Sequence, residues 1–361
     1  MLLRACYVAH FNGNNARRMK RRIQIRVPPL FAGVTLVDFL VQRFPYHDAA
    51  GWSERLAQQR VHLDGRPAAG TQPLVPGALV AYLADDLPEP PVNLDVTVLY
   101  EDDDLLAVNK PPNLPCHPAG RYFHHTLWAV LKTRFGVEQP ALINRLDRET
   151  SGLTLVAKNA AAATQLAAEF SSRRVEKKYL VLVEGAFPAR LEARGLLVPD
   201  TDSPVRKKLK FVAAEDVPAE PTKQWAETVF QGLETLTPVF SKPWKSAGPI
   251  SLVEATPLTG RLHQLRATLH ALGFPIVGDK LYGHNPALFI RFCQDELSDD
   301  DRSLLRMDRQ ALHASKLRIQ HPRTGHMLEL EAPLPADMAA LLGTLQTHQH
   351  REQGPSIKLT V

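Results

Sequence analysis

Residues 143–158 read INRLDRETSGLTLVAK and set Asp147 between Arg145 and Arg148, with Glu149 alongside. An opposite charge within hydrogen-bond reach lowers a carboxyl pKa, so Asp147 reads as an ionised carboxylate held by guanidiniums. Such a group is a competent nucleophile or base where it lines a cleft. The plainer alternative is a loop aspartate that caps a helix or bridges two arginines, because structural ion-pair networks perturb pKa values as well. A second constellation is TGRLHQLR, residues 259–266. Gly260 opens a predicted helix there, with Arg261, His263, Gln264 and Arg266 in its first turns. His263 and Arg266 share a face, and Leu262 and Leu265 bury the helix and restrict where its polar groups point. Surface cations at a polar helix end are the alternative. The third candidate is Tyr179, at the head of KKYLVLVEG. It reads either as a core-edge tyrosine with its hydroxyl paired or as a flat surface for stacking a nucleobase. His117, His124 and His125 lie near Cys116, but their spacing fits no standard metal site and no metal is expected.

These groups need a frame that holds them still. LTLVA after Gly152 has the apolar run of a buried strand with a turn at its entrance. Tyr179, Val181 and Val183 share one strand face, Leu180 and Leu182 the other; a strand apolar on both faces is central in its sheet. VTVLYED, LLAVNKPP, SLVEATPL and the stretches around 311–320 and 326–332 read as further strands, and residues 126–135 and 159–171 as helices. Residues 190–250 are weakly patterned and carry prolines and charge, which predicts an insertion or long loops. Residues 285–308 read as a second, polar and helical insertion, and 345–361 as a frayed tail. Upstream, 35–45 and 50–60 have helical spacing, and RVHLDGRPA pairs a strand with an Asp64-Gly65 hairpin turn before a returning strand over 72–84. That module is small for a core of its own. The proline-rich acidic stretch DDLPEPPVNL is the best boundary. The expected layout is a basic arm (1–33), a small module (34–85), a linker (86–94), a large domain (95–343) and a tail (344–361). Strands outnumber helices and connections are mixed, so the fold class is α+β.

At 361 residues, 44% hydrophobic and 22% charged, the chain can bury a core and is long enough for two domains. No stretch approaches the roughly 18 apolar residues of a membrane span, and MLLRACYVAHF lacks the h-region of a secretory signal, so the cytoplasm is expected. Cys6, Cys116 and Cys293 are far apart and odd in number, which predicts reduced, mostly buried thiols. P-loop, G-x-G-x-x-G, G-x-S-x-G and H-E-x-x-H patterns are missing, which argues against a nucleotide cofactor, a serine hydrolase and a zinc protease together. The net charge is +5, and its distribution says more than its size. Arg17, Arg18, Lys20, Arg21, Arg22 and Arg26 form one basic cluster, Arg173, Arg174, Lys177 and Lys178 a second, and Arg206, Lys207, Lys208 and Lys210 a third. Such clusters draw in polyanions by counterion release, so RNA or DNA contact is expected of at least one; solvated surfaces are the alternative.

Together these stretches resemble the RluA-type pseudouridine synthases. VNKPPNLPCHP is similar to the family's segment before its active site, INRLDRETSG to its R-L-D-x-x-T-S-G motif and KKYLVLVEG to its K-x-Y strand. LTGRLHQLRATLHALGFPIVGDKLYG and LHASKLRIQHPRTGHMLELEAPLP resemble its last motif and its ending, so the likeness spans about residues 95–340. Residues 34–85 resemble an S4 RNA-binding module through their helix pair and VHLDGRP. The resemblance implies a mixed, largely antiparallel sheet and an isomerase of uridine in ribosomal or transfer RNA that acts as a monomer without a cofactor. It implies Asp147 as the catalytic aspartate, Arg266 as its partner, Tyr179 as the ring against the target base and Arg145 as the arginine that helps to evict the uridine. RNA contacts are expected of Lys110, Arg261, His263, Gln264, Arg17, Arg18, Arg21 and Arg22. Asn144 departs from the family's usual histidine before R-L-D. A non-catalytic RNA-binding relative is the main rival reading. A two-carboxylate glycosidase is another, and it needs a second acid across the cleft, about 5–10 Å from the first.

Overall fold

Two side-chain caps start the helices of the N-terminal part: Thr35 accepts from the Asp38 N–H and Asp48 from the Gly51 N–H. The helices are α1 (Leu36–Arg43) and α2 (Ala49–Ala57). Around them lie β1 (Cys6–Val8), β2 (Arg22–Arg26), β3 (Val61–Leu63), β4 (Arg66–Pro67) and β5 (Leu79–Leu83), an antiparallel sheet in the order β1-β2-β5-β3-β4. Asp64 and Gly65 both have positive φ (49° and 82°), as a two-residue hairpin between β3 and β4 requires. Leu36, Phe39, Leu40, Trp52, Val61 and Val80 are fully buried and form the core of this unit. Arg22 is half-buried on β2 and pairs with Leu83 of β5, so this part of the basic stretch is an added element toward one edge of the sheet.

The computed structural model describes residues 6–8, 22–44, 46–84, 88–216, 224–237 and 248–352, with side chains described outside 6–8 and 346–352. Arg17, Arg18 and Arg21 lie outside the described residues. The chain divides into two units, Met1–Pro90 with Pro118–His125, and Pro91–His117 with Thr126–Val361. Glu89 ties the first unit's two segments together, its carboxylate accepting from the backbone N–H groups of Phe123, His124 and His125.

The second unit contains β6 (Thr97–Glu101), β7 (Leu105–Lys110), α3 (Leu127–Thr133), β8 (Ala141–Leu142), β9 (Ser151–Ala157), α4 (Ala160–Ser171) and β10 (Glu176–Glu184). β11 (Arg190–Pro199), β12 (Leu209–Ala213), β13 (Trp225–Leu236), β14 (Ile250–Pro257) and α5 (Gln264–Ala271) follow. The unit ends with α6 (Ala287–Gln294), α7 (Asp299–Leu305), β15 (Leu312–Gln320), β16 (Met327–Glu331) and α8 (Ala336–Glu352). The strands form an 11-stranded sheet ordered β12-β11-β13-β14-β10-β15-β9-β7-β6, with β16 on β15 and β8 on β9. Among the described residues only β9 and β15 pair in parallel; the other pairings are antiparallel. At that junction Gly152 has φ +110°, and a Cβ on it would stand 2.2 Å from the Ala314 carbonyl oxygen. Glycine there lets the two strands close.

β10 is central, as its two apolar faces require. One core, with Val181, Phe230, Ile250, Leu269 and Tyr282, lies on one side of the sheet's mid-line, and another, with Leu106, Leu131, Leu155 and Ile319, on the other. Tyr179 packs against both. Each such fully buried large side chain stabilises the fold by about 1.5–3 kcal/mol.

The described residues of the 190–250 stretch supply β11, β12 and β13 where long loops were one expectation; 217–223 and 238–247 lie outside the described residues. The inward positions of β11 are Ala193, Gly195 and Leu197, and those of β13 begin Ala226, Thr228, Phe230. The period of two is present, but small and polar inward residues dilute it. α8 is buried through Met338, Leu341, Leu342 and Leu345 at helical spacing and its backbone continues through Glu352 into the stretch read as a tail, of which 353–361 lie outside the described residues. Cys116 is buried as expected, whereas Cys293 is exposed. Among the described residues no helix is long and apolar enough to cross a membrane.

Candidate active site

The loop before β9 carries Asp147, and its backbone is fastened from several directions. Leu146 exchanges hydrogen bonds with Cys116 Sγ at 3.3 Å. The Arg148 carbonyl accepts from Leu114 N–H (3.0 Å) and Lys110 Nζ (3.2 Å). Gln310 Nε2 donates to Thr150 Oγ1 at 2.7 Å, and Lys280 Nζ donates to the Glu149 carboxylate at 3.1 Å. Asn144 spans the start of the strand, donating to the Leu153 carbonyl and accepting from Leu155 N–H. That side chain is structural, which gives the family's departure at this position a physical role.

Asp147 does not pair with the arginines beside it in sequence. Arg148 takes Glu149 at 3.2 Å, and Arg145 is exposed at the rim. The partner of Asp147 is Arg266, whose Nη1 donates to Oδ2 at 2.8 Å. Burial opposes the charge on Asp147, but Arg266 and His263, with hydrogen bonds from Arg266 and Gln310, outweigh it and hold the carboxyl below its ordinary range. Arg266 is itself clamped. Its Nε and Nη2 donate to Oδ2 and Oδ1 of Asp279 at 2.7 and 2.9 Å, a bidentate fork. Asp279 is wholly buried and also accepts from the N–H groups of Leu281 and Tyr282 at 2.9 Å. Gly278 before it has φ +74°, and a Cβ there would stand 1.9 Å from the Arg309 carbonyl oxygen, so glycine is needed for this turn.

α5 begins at Gln264, not at Gly260. Arg261 to His263 form a turn in front of it, and Leu262 is 59% exposed and so does not bury the helix. His263 has φ +55°, the left-handed region, at the helix start. Gln264 is buried with its amide fully engaged: Oε1 accepts from Thr259 Oγ1 and Arg261 N–H, and Nε2 donates to the Glu227 carbonyl and Thr228 Oγ1. It staples the turn to β13 and has no group left for RNA.

Asp147, Tyr179, Arg266, Arg145, Arg261, His263 and Gln264 line one pocket, open to solvent, with Lys177, Thr150 and Thr259 among the other lining residues. Asp147 is its one carboxylate, and Arg145, Lys177, Arg261 and Arg266 bring positive charge. Burial, and then Arg173 and Arg261, lower the Lys177 pKa, so this rim is short of anions. Burial, and then Asp147, push the Tyr179 phenol up to about 12, so at neutral pH it is a neutral ring and not a base. Lys110 is elsewhere. It is fully buried, donates to the carbonyls of Pro111, Leu114 and Arg148, and has its pKa lowered to about 8 by burial. It holds the Asp147 loop and cannot reach a phosphate. From sequence, Asp279 stood out only as an acid inside the apolar run FPIVGDKLYG, and nothing marked Gln310. A group of three metal-type ligands among the described residues, Asp102, Asp104 and His321, does not line the pocket and is engaged internally, His321 Nε2 lying 2.7 Å from Asp102 Oδ2.

Known proteins share this architecture. The family model described as RNA pseudouridylate synthase matches residues 104–271, which include Asp147, Tyr179 and Arg266. "Ribosomal large subunit pseudouridine synthase D" of Nitrosomonas europaea is 31% identical over 91% of this chain and 89% of its own. An uncharacterized RNA pseudouridine synthase of Chloroflexus aurantiacus is 34% identical over 89% of this chain and 92% of its own. The solved structure of human RNA Pseudouridylate Synthase Domain Containing 1 covers 71% of this chain and 97% of its own, at 26% identity and a TM-score of 0.51. The small antiparallel module is consistent with an S4-like domain. The chain belongs to the RluA-type RNA pseudouridine synthases, which are isomerases.

Proposed function

We propose that this isomerase converts uridine in large-subunit ribosomal RNA to pseudouridine, with Asp147 acting on a nucleotide turned out of its helix. The observation that carries this reading is the pocket's charge: one ionised acid, fixed by Arg266, faces a ring of cations with no second carboxylate in the lining. A two-carboxylate hydrolysis needs an acid and a base facing each other. Here Glu149 is occupied by Lys280 and Arg148, and Asp279 by Arg266.

The target base must leave its stack before its glycosidic bond can be reached. Stacking on an aromatic ring is worth about 1–3 kcal/mol per base, so the Tyr179 ring offsets part of that loss. In this reading Arg145 fills the vacated position in the RNA and Arg261 and Lys177 meet phosphates, which its exposure at the rim and their place in the pocket lining support. Asp147 then acts either at C1′ of the ribose or as the base of a glycal route. Uracil detaches, turns and rejoins through C5. The reaction is an isomerisation, so neither an energy source nor a cofactor is needed. Ribosomal RNA is favoured over transfer RNA by the ribosomal role that the Nitrosomonas relative's name carries. Pseudouridine mapping of total RNA from cells lacking this chain tests the target. Loss of sites in large-subunit ribosomal RNA is expected; loss confined to transfer RNA would overturn the assignment.

A further inference from the structure

Three contacts to the Asp147 side chain converge on one oxygen. Oδ2 accepts from Arg266 Nη1 at 2.8 Å and Gln310 Nε2 at 3.5 Å, and His263 Nε2 lies 4.0 Å from it. Oδ1 has no hydrogen bond to any described residue. His263 reaches this place from a left-handed backbone conformation, which a non-glycine residue keeps only where the surroundings enforce it.

The other side of the imidazole meets a phenol. The Leu209 backbone N–H donates to the Tyr282 hydroxyl oxygen at 3.0 Å, and the same oxygen lies 3.0 Å from His263 Nδ1. A phenol has one hydrogen; donated to Nδ1, it leaves that nitrogen unprotonated, and a neutral imidazole then carries its proton on Nε2, facing Asp147. Burial keeps the ring neutral despite Asp147; Arg266 and Lys207 act in the same direction as burial, and Asp279 with Asp147 against it. These groups come from the loop before β9, from α5, from the segment before β12 and from the turn at Gly278.

We propose that His263 is a positioning residue: Tyr282, itself set by Leu209 at the start of β12, fixes the Nε2–H tautomer toward Oδ2, so that Oδ1 is the oxygen presented to the target nucleotide. This rests on the reading of Asp147 as the reacting carboxylate. It also gives the strand at 209–213 a part in the chemistry.

The test combines tautomer and rate in the full chain. Nitrogen-15 NMR of histidine-labelled protein at pH 7.5, with His263 assigned by its loss in His263→Gln, should show the neutral Nε2–H form; an Nδ1–H form overturns the proposal. Tyr282→Phe frees Nδ1, and the imidazole regains a guaranteed Nε2–H only on protonation. Its kcat on substrate RNA should fall a few-fold at pH 8, with KM unchanged, because the 4.0 Å from Nε2 to Oδ2 is a dipolar contact longer than a hydrogen bond. Because burial lowers the His263 pKa, the deficit should shrink only as pH falls below the ordinary imidazole range, toward 5, where imidazolium carries hydrogen on both nitrogens. A deficit independent of pH, or none, overturns the proposal. Should Tyr282→Phe fail to fold, the NMR of the unaltered protein still decides. An active Asp147→Asn would remove the underlying reading; an inactive one beside a flat Tyr282→Phe profile removes only this inference.

Discussion

Neutralising Asp279 should damage the enzyme without touching its RNA surface. In Asp279→Asn the amide oxygen can keep the Oδ1 bonds from Leu281, Tyr282 and Arg266 Nη2, but the new NH2 group faces Arg266 Nε where an acceptor stood at 2.7 Å. A charge-assisted bond becomes a donor facing a donor. Removing one partner of a buried pair costs about 3–5 kcal/mol, and since Arg266 keeps Asp147 the lower end, about 3 kcal/mol, is expected. Chemistry should suffer too. Arg266 places Asp147, and a shift of about 1 Å in a reacting group costs on the order of a hundredfold in rate. Urea denaturation with an unchanged m-value should report the stability loss, and single-turnover tritium release the rate loss. RNA affinity should not move, because the Asp279 side chain has 0% exposure. Asp279 and Arg266 should also couple by about 1–3 kcal/mol in a double-mutant cycle with Arg266→Met. A variant within about 0.5 kcal/mol of the parent, with unchanged kcat, would refute the clamp.

Lys110→Ala should destabilise the fold by about 3 kcal/mol or more, through a cavity and unsatisfied carbonyls, while the slope of RNA affinity against salt stays put; a flatter slope in a folded variant would return Lys110 to the RNA surface. The depressed pKa of Asp147 means that its carboxylate's contribution to stability is present above the unfolded-state value, about 3.9, and is lost only as pH falls through the lower folded value. The rate of single turnover should therefore show no acidic limb from Asp147 between pH 5 and 8, and a limb in that window that disappears in an Asp147 variant would contradict the charge arrangement. Neutralising Arg17, Arg18, Arg21 and Arg22 together should weaken RNA binding and reduce the salt slope, by up to about 0.7–0.9 for each phosphate that the variant no longer neutralises; an unchanged slope assigns those arginines elsewhere.

Much of this was legible in the sequence, and the failures have physical causes. A strand apolar on both faces announces its place, so β10 and its Tyr179 were readable, as was the buried run of β9. The charges beside Asp147 in sequence suggest Arg145 and Arg148 as its cations, whereas the turn gives Arg148 to Glu149 and Asp147 meets Arg266 of α5, the arginine that only the family resemblance points to. Gln264 and Lys110 looked like binding residues because they are polar in motif stretches, yet both spend their hydrogen bonds on backbone and side chains of the scaffold. The helix start was placed too early because a left-handed histidine has no sequence signature. β11 and β13 were missed because Ala193, Gly195, Ala226 and Thr228 fill inward positions where larger apolar residues would have made the alternation plain.

The most direct test replaces Asp147 with asparagine and measures tritium release from C5-labelled RNA together with binding of the same RNA. The change keeps shape and removes only the charge that Arg266 holds at 2.8 Å. Binding within a few-fold of the parent and no detectable release are predicted; release at the parental rate would contradict the assignment of the reaction to this carboxylate.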